Sequence, residues 1–204
     1  MSTTETPSRL LGRAAANDGD RPAVVGADGA GASYRELWAR SEAVAQALIA
    51  SGVRPGDRIA SWSPPVLEVV LLGVAALRVG AVLVDLDPEL ELERVAESLA
   101  AARAGWIFIR ASFQGRQYPA EIKSLRGRLP ELREVVTHGR QPRFERALPG
   151  GWAAFVETGA AMPAGALAER EHELDAQPGP EPFASVPDLL APLLRGDAIA
   201  LAAP

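Results

Sequence analysis

One stretch constrains this chain more than any other. Val66 to Leu77 is long enough for about three helical turns, and Glu68 is its sole charge before Arg78 closes it. A helix that is apolar on every side must be packed on several sides, as a crossover helix on a sheet is. Its flanks supply the sheet. Arg58 to Trp62 reads as a short strand before it, and Gly80-Ala81-Val82-Leu83-Val84 as a buried strand after it. Strand, helix and strand in so few residues imply parallel pairing through a right-handed crossover. The apolar run falls short of the ~20 residues of a membrane span.

Reading outward, the same alternation continues. A short helix is expected near Leu10 to Ala16 and a strand at Pro22 to Val25, with a turn from Gly26 to Gly31 whose tip is Asp28-Gly29. Ser33-Tyr34-Arg35-Glu36 is a capping box, in which hydroxyl and carboxylate each satisfy a backbone N–H at the start of a helix. That helix buries Leu37, Val44 and Leu48, flanked by Trp38, Ala45 and Ile49, and stops at Gly52 in a left-handed conformation. Arg54-Pro55-Gly56-Asp57 has Pro and Gly where a type II turn wants them. Ser63 is expected to cap the apolar helix, with Pro64 at its first position and its body from about Pro65 to Arg78.

Asp87-Pro88 repeats the cap-plus-proline signal, with Glu89, Glu91 and Glu93 at the positive end of a helix. This helix turns Val95, Leu99 and Ala102 inward and ends at Gly105. Trp106 to Ile109 is the next strand, and a helix around Ala120 to Arg128 leads through Pro130 to a strand at Glu134 to Thr137. The fold class is α/β, a mostly parallel sheet flanked by helices. Two regions follow: residues 1–140 form the α/β unit, and 141–204 form a Pro/Gly-rich segment that holds nine of the 17 prolines. In that segment weak helices are expected at Trp152 to Thr158 and Pro187 to Leu194, with a linker from Gln177 to Pro182.

Composition excludes several classes of function. The net charge is −5, and the basic residues are scattered arginines plus one lysine, Lys123, so no basic stripe invites a nucleic acid. With no cysteine there is no disulfide, thiolate metal site or cysteine nucleophile. Met1 to Asp20 lacks the apolar run of a signal peptide, so a cytoplasmic location is expected.

Each candidate for chemistry has a plainer competitor. Asp85 and Asp87 could share one face of a strand end and bind a cation or act as acid and base, but a solvated turn with Asp87 as helix cap is favoured. The cluster Gly26, Gly29 and Gly31 lacks phosphate-loop spacing and a following lysine, so it reads as a turn. His138 at a strand end could be a general base, but with no nucleophile motif nearby it reads as a surface histidine. Arg54, Arg58 and Arg78 read as turn and sheet-edge partners, and Trp38, Trp62 and Trp106 as core. Leu189, Leu190, Leu193 and Leu194 could cover a bare sheet edge or dock a partner.

Four segments, in this order and spacing, resemble the opening of the acyl-adenylate-forming ligases, the AMP-forming acyl-CoA synthetases and their relatives. They are Asp20 to Val24, Ser33 to Leu37, Leu48 to Arg58, and Leu77 to Val82 running on to Asp87-Pro88. Phe113 to Tyr118 and Leu129-Pro130-Glu131-Leu132 look most like the branch acting on medium-chain or alicyclic carboxylic acids. The resemblance implies the first subdomain of that family's N-terminal lobe. It also implies the family reaction, in which ATP activates a carboxylate to an acyl-adenylate that is passed to coenzyme A, with Mg2+ as cofactor.

That chemistry needs a Gly/Ser/Thr-rich phosphate loop ending in lysine, a glutamate for magnesium, an aspartate for the ribose and a mobile C-terminal lobe with a catalytic lysine. None of these motifs is present, and the strand-like Asp197 to Leu201 is followed by Ala202-Ala203-Pro204 where the phosphate loop would stand. Pro64-Pro65 also replaces the family's usual Pro-Asn. The expectation is therefore a truncated ligase with no catalytic, cofactor-binding or metal residue of its own, inactive alone and needing no cofactor alone. The alternative is a non-catalytic interaction module, or half of a split ligase completed by a partner chain. A homodimer or a complementary ligase fragment is the expected partner.

Overall fold

The computed structural model describes residues 5–26, 31–139, 151–176 and 186–202. The Asp28-Gly29 turn tip, Gly29 of the glycine cluster, the whole of the Gln177 to Pro182 linker and Ala203-Pro204 lie outside the described residues.

The helices are α1 (Pro7–Asn17), α2 (Tyr34–Ala50), α3 (Leu67–Val79), α4 (Leu92–Ala102), α5 (Tyr118–Leu125), α6 (Trp152–Thr158), α7 (Ala166–Ala176) and α8 (Ala191–Arg195). The strands are β1 (Pro22–Val25), β2 (Gly31–Ser33), β3 (Arg58–Trp62), β4 (Val82–Leu86), β5 (Trp106–Arg110), β6 (Glu134–His138) and β7 (Ile199–Ala200). β3 to β6 form one sheet in the order β4-β3-β5-β6, parallel throughout. A second sheet has the order β2-β1-β7, antiparallel between β1 and β2 and parallel between β1 and β7.

Strand alternation sorts the core into two layers. On one face of the four-stranded sheet Ile59, Leu83, Phe108 and Val136 join α2 and α3, the small sheet, and Leu11, Phe155, Leu167, Leu190 and Leu193 from the elements around them. On the other face Ala60, Trp62, Ile107 and Ile109 meet α4 and α5 through Val95, Leu99, Tyr118 and Ile122. Covering on both faces is what a parallel sheet requires. In α3 all residues from Val69 to Val79 are buried, as its uninterrupted apolarity demands.

Local expectations hold at many termini. Ser33 caps α2: the Glu36 N–H donates to Ser33 Oγ (3.3 Å) and the Ser33 N–H to the Glu36 carboxylate (2.8 Å). Gly52 is left-handed, two residues past the end of α2, and the Asp57 N–H closes the turn onto the Arg54 carbonyl at 3.0 Å.

Other termini differ. Ser63 does not cap α3; its hydroxyl donates to the Pro64 carbonyl, and the helix starts at Leu67 behind Val66. A residue preceding proline is driven out of the helical region. In Ser63-Pro64-Pro65 both residue 63 and residue 64 stand in that position. Gly80 does not open β4 but ends α3 at φ 75, so the strand begins at Val82. Asp87 does not cap α4; its carboxylate accepts the Glu89 N–H (2.8 Å) in a local turn, and the helix begins at Leu92. Arg103, left-handed at φ 52, ends α4 ahead of Gly105.

The largest departure is α7, an additional helix between the two weak ones that the sequence predicts at Trp152 to Thr158 and Pro187 to Leu194. It docks mostly through charge. Arg78 is 4 % exposed; its Nε donates to Glu171 at 2.6 Å, while one terminal nitrogen donates to the Trp38 carbonyl and Ser41 Oγ. The guanidinium also lies 4.1 Å from the Trp38 ring centre. Arg78 is thus a buried hub joining α2, α3 and α7 rather than a sheet-edge partner. Residues 188–195, a 3-10 turn running into α8, bury Leu190 and Leu193, and Leu190 sits over Gly73 where any side chain would collide with it. These leucines belong to the chain's own core. Among the described residues, Val25 is the one exposed large hydrophobic side chain.

Candidate functional site

In open parallel sheets, ligands gather outside the carboxyl ends of the strands. Here those ends are Trp62, Leu86, Arg110 and His138, and the two faces of the sheet treat their polar groups in opposite ways.

On the α4/α5 face everything is satisfied. Trp62 Nε1 donates to the Asp87 carbonyl (3.1 Å), and both Tyr118 Oη and Arg116 donate to the Pro88 carbonyl (3.0 Å each). Arg116 is held in turn by a two-pronged pair with Glu121 (2.9 and 2.8 Å) and lies 4.4 Å from the Trp62 ring centre. A tight turn, Phe113 to Arg116 with Gln114 and Gly115 left-handed, aims that arginine. The Phe113 to Tyr118 motif is therefore a clamp on the turn after β4.

The opposite face is different. Register places Ser61 beside Asp85 and Arg110 beside His138, with Phe108 and Val136 on the same face. Ser61 is buried and its hydroxyl has no partner. Asp85 is exposed, yet crowding by protein and the nearby Asp87 push its carboxyl up to about 6. Among the described residues no cation offsets that pressure. Arg110 passes its stem over Gly139 and rests its guanidinium 5.8 Å from the Phe113 ring centre.

His138 is not a surface histidine. It is 2 % exposed, both ring nitrogens lack a partner, and the Trp152 ring meets it edge-on at 6.4 Å. Burial, with Arg110 nearby, pushes its imidazole down to about 3. At neutral pH it is uncharged.

Sequence reasoning singled out Asp85, Asp87 and His138 but missed Ser61 and Arg110. The signal that finds them is positional: both lie on the strand residues that end one face of the sheet. The structure brings Asp85, Ser61, Arg110 and His138 to one edge. It leaves Arg54 and Arg58 exposed at the opposite, amino-terminal end, and puts Trp62 and Trp106 in the core with Trp38 half-buried. Gly26 follows β1 and Gly31 opens β2 in the small sheet, away from this edge.

The residues present do not fit a magnesium triphosphate. Lys123, the one lysine, is exposed on α5, on the satisfied side. Among the described residues no three His, Asp or Glu side chains are grouped to hold a metal ion. The arrangement offers a hydroxyl, a carboxylate, a guanidinium and a neutral imidazole, which can orient a polar group but supply no nucleophile with its base.

The AMP-binding enzyme family matches residues 11–179. The chain is 31 % identical over 140 residues to the mitochondrial medium-chain acyl-CoA ligase of Danio rerio, covering 60 % of this chain and 23 % of the relative. It is 37 % identical over 116 residues to a Mycobacterium tuberculosis CoA ligase for a methyl-dioxo-octahydroindenyl propanoyl group, covering 57 % and 22 %. A crystal structure described as a long-chain-fatty-acid CoA ligase from Rhodopseudomonas palustris superimposes with a TM-score of 0.64 at 23 % identity, over 74 % of this chain and 36 % of that one. That last likeness is one of fold. The chain thus spans about a quarter of the length of the curated relatives it matches, and by its match over most of its length it belongs to the AMP-binding enzyme family.

Proposed function

We propose that this chain builds the first α/β layer of an acyl-adenylate-forming ligase and does not adenylate by itself. The reaction it serves is ATP-dependent activation of a carboxylic acid, then transfer to coenzyme A, with Mg2+ bound by other parts of the family fold. One observation carries this reading: the carboxyl edge is finished on one face and unpartnered on the other, at Ser61 and His138. A layer completed by further ligase structure has that asymmetry; a self-sufficient site has its catalytic groups in place. The accessible groups on that face would meet the remainder of the lobe, with Asp85 and Arg110 orienting polar groups that arrive there.

Medium-chain or alicyclic acids are the substrates this reading favours, because the matched relatives include ligases named for such groups. A complementary ligase fragment, or a second copy of this chain, is the partner it requires. A cytoplasmic location belongs to the same proposal. The test is to incubate the purified chain with ATP, Mg2+ and a panel of medium-chain and alicyclic carboxylates while following pyrophosphate. We expect none to be released, and clear turnover would overturn the reading.

A further inference from the structure

α6 is held at its two ends by different means. At its far end Gly159 presses on α2: a Cβ built there would sit 2.7 Å from the Ala47 nitrogen and 2.9 Å from the Ala43 carbonyl oxygen, so this is backbone-to-backbone contact. Phe155, in the middle, is 3 % exposed and meets the Phe108 ring at 5.1 Å. At the near end the contact is an aromatic corner, Trp152 against Phe108 (6.2 Å) and His138 (6.4 Å), beside a single bridge between Thr137 and Gly151. One end is therefore anchored and the other rests on a titratable ring.

We propose that His138 and Trp152 form an acid-sensitive latch that holds the first turn of α6 over the carboxyl ends of β5 and β6. The closed latch has no place for an imidazolium. Among the described residues neither ring nitrogen has an acceptor. The charged group that faces the ring from β5 is the Arg110 guanidinium, which repels it, and α6 presents the Trp152 ring. Of the acidic groups on the same face, Asp85 stands on β4 at the far side of the sheet and Glu134 at the opposite end of β6. Protonation therefore demands that the ring reach water, and the bridge at Gly151 with the Trp152 contact is the weakest obstacle to that. The motion uncovers Arg110 and His138, while Gly159 keeps the far end of α6 on α2.

The expected size follows from proton linkage. The closed form keeps the imidazole neutral down to about 3, and the opened form restores its ordinary value near 6.5. The opened population then rises about 25-fold between pH 7 and pH 5.

Hydrogen exchange by mass spectrometry over residues 151–158, corrected for the intrinsic pH dependence of exchange, reads this directly. Wild type should lose protection there by about that factor between pH 7 and pH 5, with α2 unchanged, and His138→Phe should show no such loss. A wild type with flat protection at 151–158, or a loss spread equally over α2, overturns the latch without recourse to the variant. An equal loss in folded His138→Phe overturns it too. None of these readouts involves ATP, so the latch stands or falls apart from the ligase reading.

Discussion

Asp85 shows how a residue can be visible in the sequence while its state is not. The pair Asp85 and Asp87 stands out as two carboxylates at a strand end, but whether they strain each other depends on the backbone between them. Asp87 spends its carboxylate on the Glu89 N–H, and Asp85 remains crowded beside it. A carboxyl whose folded value is raised binds its proton more readily in the folded chain than in the unfolded one. Its burden is absent near pH 4 and complete above about pH 6. Asp85→Asn should therefore raise the melting temperature at pH 7.5 and leave it unchanged at pH 4. Solvent screening at this exposed position keeps the gain below about 1 kcal/mol. Equal effects at both pH values would show that charge is not the cause. Ser33 is the opposite case, a residue whose role the sequence states outright. Ser33→Ala removes the hydroxyl half of the capping box and should cost about 1 kcal/mol in urea unfolding.

Among the elements, those read correctly announce themselves locally. α2 has its cap and its apolar face; β5 is a short, dense apolar run, and β6 sets Val135-Val136 just past the Pro130 break. The misread starts of α3 and α4 involve proline and a local turn that outcompetes a helix start, at Ser63-Pro64-Pro65 and Asp87-Pro88. α7 was illegible for another reason. It has one buried apolar residue, Leu167, so no periodicity marks it. Its attachments come from distant residues: Arg78 to Glu171, Arg170 to the Val53 and Val79 carbonyls, and Thr6 to Asp175.

Glu171→Gln leaves the buried Arg78 without its counter-charge and should destabilise the chain by about 2 kcal/mol. The double variant Arg78→Met, Glu171→Met should recover most of that loss, as apolar groups of similar volume replace a desolvated pair. A double variant no better than the single one would mean that the hydrogen bonds of Arg78 to α2 matter more than its charge. Gly159→Ala tests the other helix contact that sequence could not show, because it thrusts a methyl group into the α2 backbone. We expect a loss of about 1–3 kcal/mol by thermal or urea unfolding.

For the molecule as a whole, the parallel order of strands was legible because each crossover helix lies between its two strands in the chain. The division into two sheets was not. β2 is a strand of three residues, Gly31-Ala32-Ser33, running straight into α2, and β7 has two, Ile199 and Ala200; neither is long enough to show alternation. Nor does the sequence reveal which face of the main sheet is finished, since that depends on how Arg116 and Tyr118 turn back across the strand ends. Magnesium-dependent ATP binding is expected to be undetectable for this chain by calorimetry. Submillimolar binding would show that the polar edge grips a nucleotide unaided.

The pairing of Val24 and Val25 with Ile199 and Ala200 has a consequence for biosynthesis. β1 is translated about 175 residues before its parallel neighbour at residue 199, so the small sheet cannot close while the ribosome is still making the chain between them. The β3 to β6 sheet, whose partners lie close in sequence, can assemble while synthesis continues. A nascent chain halted before residue 199 would then carry a settled large sheet and an unpaired β1 flank with Val25 on it, a natural handhold for a chaperone until translation delivers β7.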